Sequence, residues 1–187
     1  MSAGQVESLR ASIPEAARDI RLNLQSVLEA GGALNPAQRW GVALASAIAS
    51  RNGALVAAVA ADAASAVDGA VLADARAAAA LMAMNNVFYR FRHVVGKPAY
   101  DQRPARLRMN RLAQPATNKA DMELFALAAS AINGCEACVR AHEHAVREGG
   151  LTVDHVPEAV RIAATLHAAA VALEMDVAPA VDLQAAG

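Results

Sequence analysis

The two cysteines of this chain lie three residues apart, and a histidine follows them at helical spacing. They are Cys135 and Cys138 in the stretch INGCEACVRAHEH, and His142 comes four residues after the second cysteine. On an α-helix, at about 100° per residue, these three side chains lie within roughly 60° of one another, whereas His144 points to nearly the opposite side. An imidazole within reach of a thiol can take its proton, so the spacing predicts a reactive thiol pair.

The residues before the pair predict where it sits on the helix. Asn133 and Gly134 interrupt the helical pattern, so the cysteines fall in the first turn of a new helix, where unpaired amides and the helix dipole favour a thiolate. By this argument Cys135 should be the more acidic and the more exposed thiol. By spacing, however, Cys138 is the thiol that has a base, His142, within reach.

A carboxylate one helix back completes a catalytic constellation of residue types. Glu123 falls in the first turn of a helix predicted over 119–132, and a hairpin around Asn133 and Gly134 would bring its carboxylate to His142. There it would orient the imidazole and pass protons onward, as the third member of a nucleophile, base and orienter set.

The same side chains also fit other interpretations. Free cysteine is often a small buried hydrophobe, and zinc could take Cys135, Cys138 and His142 as ligands with Glu123 as a fourth. Against zinc, the chain has no second CxxC motif and is long enough to bury a core. The remaining histidines are interpreted as structural or solvent-exposed: His93, His144, His155 and His167.

Composition predicts an all-α protein. The 187 residues are 56% hydrophobic and only 3% aromatic, with alanine, the best intrinsic helix former, supplying much of the apolar share. We expect one domain over 1–187 with a frayed tail at 177–187. The net charge of -1 gives no electrostatic footprint for nucleic acid or an anionic membrane surface. Charged residues interrupt the apolar runs and the start lacks an apolar signal segment, so we expect a cytoplasmic protein without a membrane span.

Caps and breakers predict the order of helices. Ser12 and Glu15 are arranged as a capping box for a first helix to about Ala30, and Asn35 with Pro36 opens a second to about Ser50. Further helices are predicted at about 54–66, 70–90, 119–132, 135–148 and 157–175, with a long basic connection over 91–118. A shared Ala-Ser-Ala-Ile in 43–63 and 127–146 suggests duplication of a helical unit, about 37–90 and 119–175, with chance likeness of alanine-rich helices as the alternative.

Four segments together resemble the alkyl hydroperoxide reductase D (AhpD) family. They are MNNVFYR, LRMN, ELFALAASAINGCEACVRAHEH and IPEAARDIRLNL, and the likeness runs in the same order over nearly the whole chain. The resemblance implies a homotrimeric all-α thiol peroxidase (EC 1.11.1 class) that reduces organic hydroperoxides without a bound cofactor or metal. It also implies Cys138 as the peroxidatic thiol, which becomes a sulfenic acid, Cys135 as the resolving thiol that closes a redox disulfide, and His142 and Glu123 as the proton relay.

The resemblance implies partners as well. The reductant would be a lipoyl group on a dihydrolipoamide acyltransferase, recharged by dihydrolipoamide dehydrogenase, and the peroxiredoxin AhpC is a further candidate partner. Two alternatives stay open: a disulfide reductase for AhpC with little direct peroxidase activity, and a zinc-binding interaction protein. We favour Cys138 as the attacking thiol, because the departing alkoxide needs a proton that His142 can return. Ala137 departs from the family pattern, in which a second histidine precedes the second cysteine.

Overall fold

The computed structural model describes residues 4–29 and 31–175. Over these ranges it holds ten α-helices, one 3-10 helix and no β-strand, which confirms the all-α prediction. The predicted frayed tail lies outside the described residues. The α-helices are α1 (Gln5–Arg10), α2 (Arg18–Leu28), α3 (Pro36–Ser50), α4 (Gly53–Ala66), α5 (Gly69–Val95), α6 (Pro98–Asp101), α7 (Asn110–Ala113), α8 (Lys119–Ile132), α9 (Glu136–Glu148) and α10 (His155–Glu174).

Helix α8 lies at the centre of the bundle. It packs against α3, α5, α9 and α10, and its ten residues from Asp121 to Ser130 are all buried. A helix that is buried on every side needs apolar residues all round, which explains why this segment shows little amphipathic pattern. Because α9 follows directly and packs back on α8, the central helix and the cysteine-bearing helix form a hairpin.

Small residues allow the central helices to approach closely. At Gly41 of α3, an added Cβ would lie 2.2 Å from the ring of Phe125 on α8, which is fully buried. Such a distance is far below van der Waals contact, so the ring occupies the space that a side chain at position 41 would need. Glycine at this position therefore fixes how closely α3 and α8 pack.

Several predicted helix ends are confirmed, and one predicted helix start is wrong. Asn35 caps α3 in a capping box with Gln38, and α8 spans the predicted range. Ser12 does not cap a helix: its hydroxyl donates to the carbonyl of Leu9 at 2.7 Å, because a short unpredicted helix, α1, ends just before it. The next α-helix begins only at Arg18, after a 3-10 turn.

Helix α5 is longer than predicted, and the long connection is correspondingly shorter. It continues to Val95 and ends at Gly96, whose φ of 60° lies in the left-handed region that favours glycine. The segment from there to Asn118 contains the short helices α6 and α7. The two segments of the predicted duplication both form helical hairpins, α3 with α4 and α8 with α9. The duplication itself stays a prediction.

One described helix, α10, meets the length and composition of a membrane span. Its most apolar window has a mean hydropathy of 1.3, and 44% of that window is buried inside the structure. The helix packs against α2, α3 and α8, as a core helix of a helical bundle does.

Candidate functional site

The turn between α8 and α9 positions the cysteines. Asn133 ends α8, Gly134 takes a φ of 65°, and Cys135 becomes the extended N-cap residue of α9. The Cys135 amide donates to the carbonyl of Ser130 at 3.2 Å, which holds the cap against the end of α8. Only a left-handed residue reverses the chain so tightly, so glycine at 134 is what brings the pair back over α8.

The two cysteines form a disulfide, with their Cα atoms 5.3 Å apart. Cys135 is fully buried and Cys138 is 6% exposed. The expectation that Cys135 is the more exposed sulfur is therefore wrong in this state, because the N-cap residue is tied down against the last turn of α8. The Cys135 side chain makes no capping hydrogen bond to the first turn of α9. The backbone amides of that turn therefore remain available to a thiolate after reduction.

The hairpin brings Glu123 and His142 together, as the spacing predicted. The Oε2 atom of Glu123 lies 2.6 Å from Nδ1 of His142, and the side chains are 8% and 10% exposed. A carboxylate at Nδ1 holds the ring orientation and places the proton of the neutral ring on that nitrogen. This geometry suits a base that receives a proton at Nε2, although the catalytic roles stay predictions.

Sequence reasoning missed the partner of the other ring nitrogen. Nε2 of His142 lies 3.1 Å from the sulfur of Met82, a fully buried residue of α5. A thioether cannot donate a hydrogen bond, so in the neutral ring with its proton on Nδ1 this contact is not a hydrogen bond, and Nε2 keeps its lone pair for a proton from a thiol. Met82 lies 60 positions before His142, and no local pattern in the sequence links the two.

A mainly apolar cavity of about 190 Å³ opens beside Cys138 and His142. Its walls come from three places: α5, the segment around α7, and the first half of α9. The lining residues are Asn85, Tyr89, Met109, Leu112, Ala137, Cys138, Ala141 and His142. Ala137, where the family pattern has a second histidine, therefore lines the cavity and leaves its wall apolar at that point.

Cys135, although fully buried, lies beneath a different, shallow depression on the surface. Gly134, Cys135, Glu136, Val139 and Arg140 line it. Glu136 and Arg140 pair with each other across one helical turn. The two cysteines thus lie at two separate openings, Cys138 at the apolar cavity and Cys135 beneath a depression that is rimmed by charge.

A buried carboxylate anchors the segment that forms the cavity wall. Asp74 of α5 is fully buried, and it accepts hydrogen bonds from Arg111, from the Ala116 amide, and from both the amide and the hydroxyl of Thr117. Burial raises the pKa of this carboxyl, but the hydrogen bonds and the arginine charge outweigh burial, so the pKa lies below its ordinary value. The ionised carboxylate holds α7 and its flanks against α5.

The asparagine that follows Asn85 has a structural role. Asn86 donates to the hydroxyl of Ser130 at 2.9 Å and accepts from the Asn133 amide group at 2.9 Å. It therefore ties α5 to α8 and to the turn before the cysteines. Within the MNNVFYR segment, Asn86 thus serves helix packing, whereas Asn85 and Tyr89 line the cavity.

The remaining histidines behave as predicted where the structure shows a partner. His144 lies on the exposed side of α9, 3.3 Å from Glu148, and His93 lies 3.4 Å from Glu136 with both side chains more than half exposed. Among residues 4–29 and 31–175, no group of three or more histidine, cysteine, aspartate and glutamate side chains is arranged to hold a metal ion. The zinc alternative therefore concerns the reduced pair, since a disulfide has no thiolate to offer.

Comparison with known proteins gives the family. The carboxymuconolactone decarboxylase family model matches residues 98–181. The chain is 66% identical to alkyl hydroperoxide reductase AhpD of Anaeromyxobacter sp. strain Fw109-5 over 90% of this chain and 91% of that protein. It is 47% identical to the AhpD of Rhodospirillum centenum over 92% of each chain. The chain therefore belongs to the alkyl hydroperoxide reductase AhpD group of the carboxymuconolactone decarboxylase family.

Proposed function

We propose that this protein is a thiol-dependent peroxidase that reduces organic hydroperoxides through a sulfenate and disulfide cycle. One observation carries the proposal: the Cys135–Cys138 disulfide borders an apolar cavity at Cys138, next to a histidine that a buried carboxylate orients. An apolar opening suits the alkyl part of a hydroperoxide. The curated relatives carry the name alkyl hydroperoxide reductase, in agreement with this chemistry.

The oxidative half of the cycle begins at Cys138. In the reduced protein, His142 exchanges Met82 for the Cys138 thiol and takes its proton at Nε2, while Glu123 stabilises the imidazolium through Nδ1. The thiolate attacks the terminal oxygen of the hydroperoxide, the O–O bond breaks, and Cys138 becomes a sulfenic acid. The departing alkoxide takes the proton back from His142 and leaves as an alcohol.

Cys135 completes the oxidation. Its thiol attacks the sulfenic sulfur of Cys138, the disulfide forms, and water leaves. A dithiol reductant then opens the disulfide by attack on Cys135, which is buried beneath the charged depression, so the attack requires the start of α9 to move; the second thiol of the reductant then releases Cys135. Over one cycle the hydroperoxide becomes alcohol and water, while the dithiol becomes a disulfide.

The resemblance to the family supports a specific reductant. We assign the lipoyl group of a dihydrolipoamide acyltransferase, recharged by dihydrolipoamide dehydrogenase, with no cofactor bound to this chain. The same resemblance supports a homotrimer in the cytoplasm. Sedimentation of the purified protein tests the assembly, and turnover with free dihydrolipoamide tests the reductant.

Trapping the intermediate tests the order of the two thiols. The Cys135→Ser protein, treated with one equivalent of hydroperoxide, should hold a sulfenic acid at Cys138 that a dimedone-type reagent labels and mass spectrometry locates. A sulfenic acid found only at Cys135, in the Cys138→Ser protein, would reverse the assignment. Absence of a sulfenic acid from both variants would end the peroxidase proposal.

A second candidate function uses the same disulfide to reduce an oxidised peroxiredoxin such as AhpC. The charged rim of Glu136 and Arg140 beside Cys135 favours it, since a surface depression with charge suits a protein partner. Turnover of lipoamide and hydroperoxide, measured with and without the peroxiredoxin, separates the two functions. Turnover only in the presence of the peroxiredoxin supports the reductase.

A further inference from the structure

An unpaired buried oxygen lies in the wall of the cavity beside Cys138. Asn85 is 4% exposed, and its Oδ1 atom has no hydrogen-bond partner within the described part of the chain. A buried carbonyl without a partner costs about 1–3 kcal/mol, so native structures rarely keep one without a reason. Asn85 lines the same cavity as His142 and Cys138.

The other end of the amide fixes which atom is free. Nδ2 of Asn85 lies 2.9 Å from the sulfur of Met109, on the segment that closes the cavity. A thioether can accept a hydrogen bond but has no proton to donate, so the amide nitrogen belongs on the methionine side. The carbonyl oxygen is then left as a pure acceptor, and its natural partner is a ligand that donates an O–H.

The neighbouring asparagine has no such unpaired atom. Asn86 uses both ends of its amide, with Ser130 on one side and Asn133 on the other. It therefore needs nothing further from a ligand. The consecutive residues of one motif thus divide into a satisfied structural amide and an unsatisfied amide at the cavity.

We propose that Asn85 binds the hydroperoxide group of the substrate, its Oδ1 accepting a hydrogen bond from the terminal O–H. This inference rests on the proposed peroxidase function and adds the residue that orients the substrate. The O–H oxygen is the atom that the Cys138 thiolate attacks, and the second peroxide oxygen takes the proton from His142. Because Asn85 holds the O–H in addition to the contacts with Cys138 and His142, the O–O bond is presented to the sulfur in one orientation.

The cavity also limits the substrate class. Its volume of about 190 Å³ is somewhat larger than the roughly 150 Å³ of a cavity that holds benzene, so it takes a group of about that size. The lining is nearly all apolar apart from Asn85 and His142, so a charged head group would lose its hydration without compensation. Small uncharged alkyl hydroperoxides therefore fit better than fatty acid hydroperoxides.

Replacement of Asn85 by leucine tests the inference, because leucine has a similar shape and cannot hydrogen-bond. Reduced Asn85→Leu protein should react with ethyl hydroperoxide about tenfold more slowly than wild type, the loss of one hydrogen bond to the reacting group. Its reaction with methyl methanethiosulfonate, a small uncharged thiol reagent without an O–H, should stay at the wild-type rate. Asn85→Ala provides a second variant and should show the same selective loss.

Ser46→Ala is the matched control. The hydroxyl of Ser46 is the other buried side-chain oxygen or nitrogen without a partner in the described residues, and it lies in α3 away from the cavity lining. This variant should react with both reagents as the wild type does. If Ser46→Ala lost rate with the hydroperoxide as Asn85→Leu does, the effect would not come from the cavity, and the inference would be overturned.

The two reagents distinguish failure of the inference from failure of the proposed function. A wild-type rate with ethyl hydroperoxide in Asn85→Leu overturns the role of Asn85, as does an equal loss with both reagents, which would place the effect on the thiol itself. If wild-type protein reacts with the thiosulfonate but not with the hydroperoxide, the peroxidase function fails first and the inference falls with it.

Discussion

Removal of the charge at Glu123 should slow the peroxide reaction about tenfold. Glutamine keeps the size of the side chain and still offers an oxygen to Nδ1 of His142, so Glu123→Gln changes mainly the charge. Both partners are about nine-tenths buried, so solvent screens the pair little. Hydrogen bonds to charged groups contribute about 1.5–3 kcal/mol and neutral ones about 0.5–1.5. The difference of about 1–1.5 kcal/mol acts when His142 becomes an imidazolium and corresponds to about tenfold in rate.

The assay is the loss of free thiol in a single turnover of reduced protein with excess alkyl hydroperoxide. Glu123→Leu should be slower again, since it also leaves the Nδ1 proton of His142 buried without an acceptor. Glu148→Gln is the matched control, because Glu148 pairs with His144 at 3.3 Å on the same helix but both side chains are at least 70% exposed. Exposed pairs contribute little, so this variant should react as wild type.

The order of these rates decides whether the pair acts as a relay. If Glu123→Gln and Glu148→Gln both react at the wild-type rate, the charge of Glu123 contributes nothing and the relay reasoning is refuted. Thermal denaturation of each variant accompanies the assay, so that a loss of rate is compared only among folded proteins.

Three further variants test the packing that supports the site. Gly41→Ala should destabilise the fold by about 1–3 kcal/mol, because its methyl group would overlap the Phe125 ring; an unchanged thermal midpoint would contradict this. The pKa of Asp74 in the fold lies below the ordinary value of an aspartate, so its stabilisation is present above the unfolded-state pKa and is lost as the pH falls through the folded-state pKa. Asp74→Asn should therefore destabilise in urea at pH 7, and the deficit should shrink as the pH falls through the acid range; a deficit that stays constant or grows on acidification would refute the sign. Asn86→Ala should lower stability by about 1–3 kcal/mol, since it leaves the buried Ser130 and the half-buried Asn133 without this partner, and a wild-type urea midpoint would show that water replaces the amide.

Local features were predictable where neighbouring residues set the structure. Asn35 and Pro36 mark the start of α3 through a cap and a preorganised proline, and both act within one turn. The bounds of α8 follow from the Asn118 cap and the break at Asn133 and Gly134. The cap at Ser12 failed because α1 comes first and its last carbonyls take the Ser12 hydroxyl.

The residues of the candidate site were likewise predictable only where local spacing along the chain brings them together. Cys135, Cys138 and His142 share one helix, and Glu123 faces them across a single hairpin, so spacing alone could assemble these four. Met82 and Asn85 lie on α5, some 40–60 positions earlier, and nothing in local periodicity reports their approach to α9.

What the sequence by itself determined is the helical fold, most helix ends and the set of groups that can do redox chemistry, because propensity, capping and helical spacing act over a few residues. What only the tertiary structure decided is the environment of those groups. The burial of Cys135 arises where the cap of α9 lies on the end of α8. The Met82 contact to His142 and the unpaired oxygen of Asn85 arise where α5 packs against α9. Contacts between distant segments depend on how whole helices fill space, and close packing sets that for the chain as a unit.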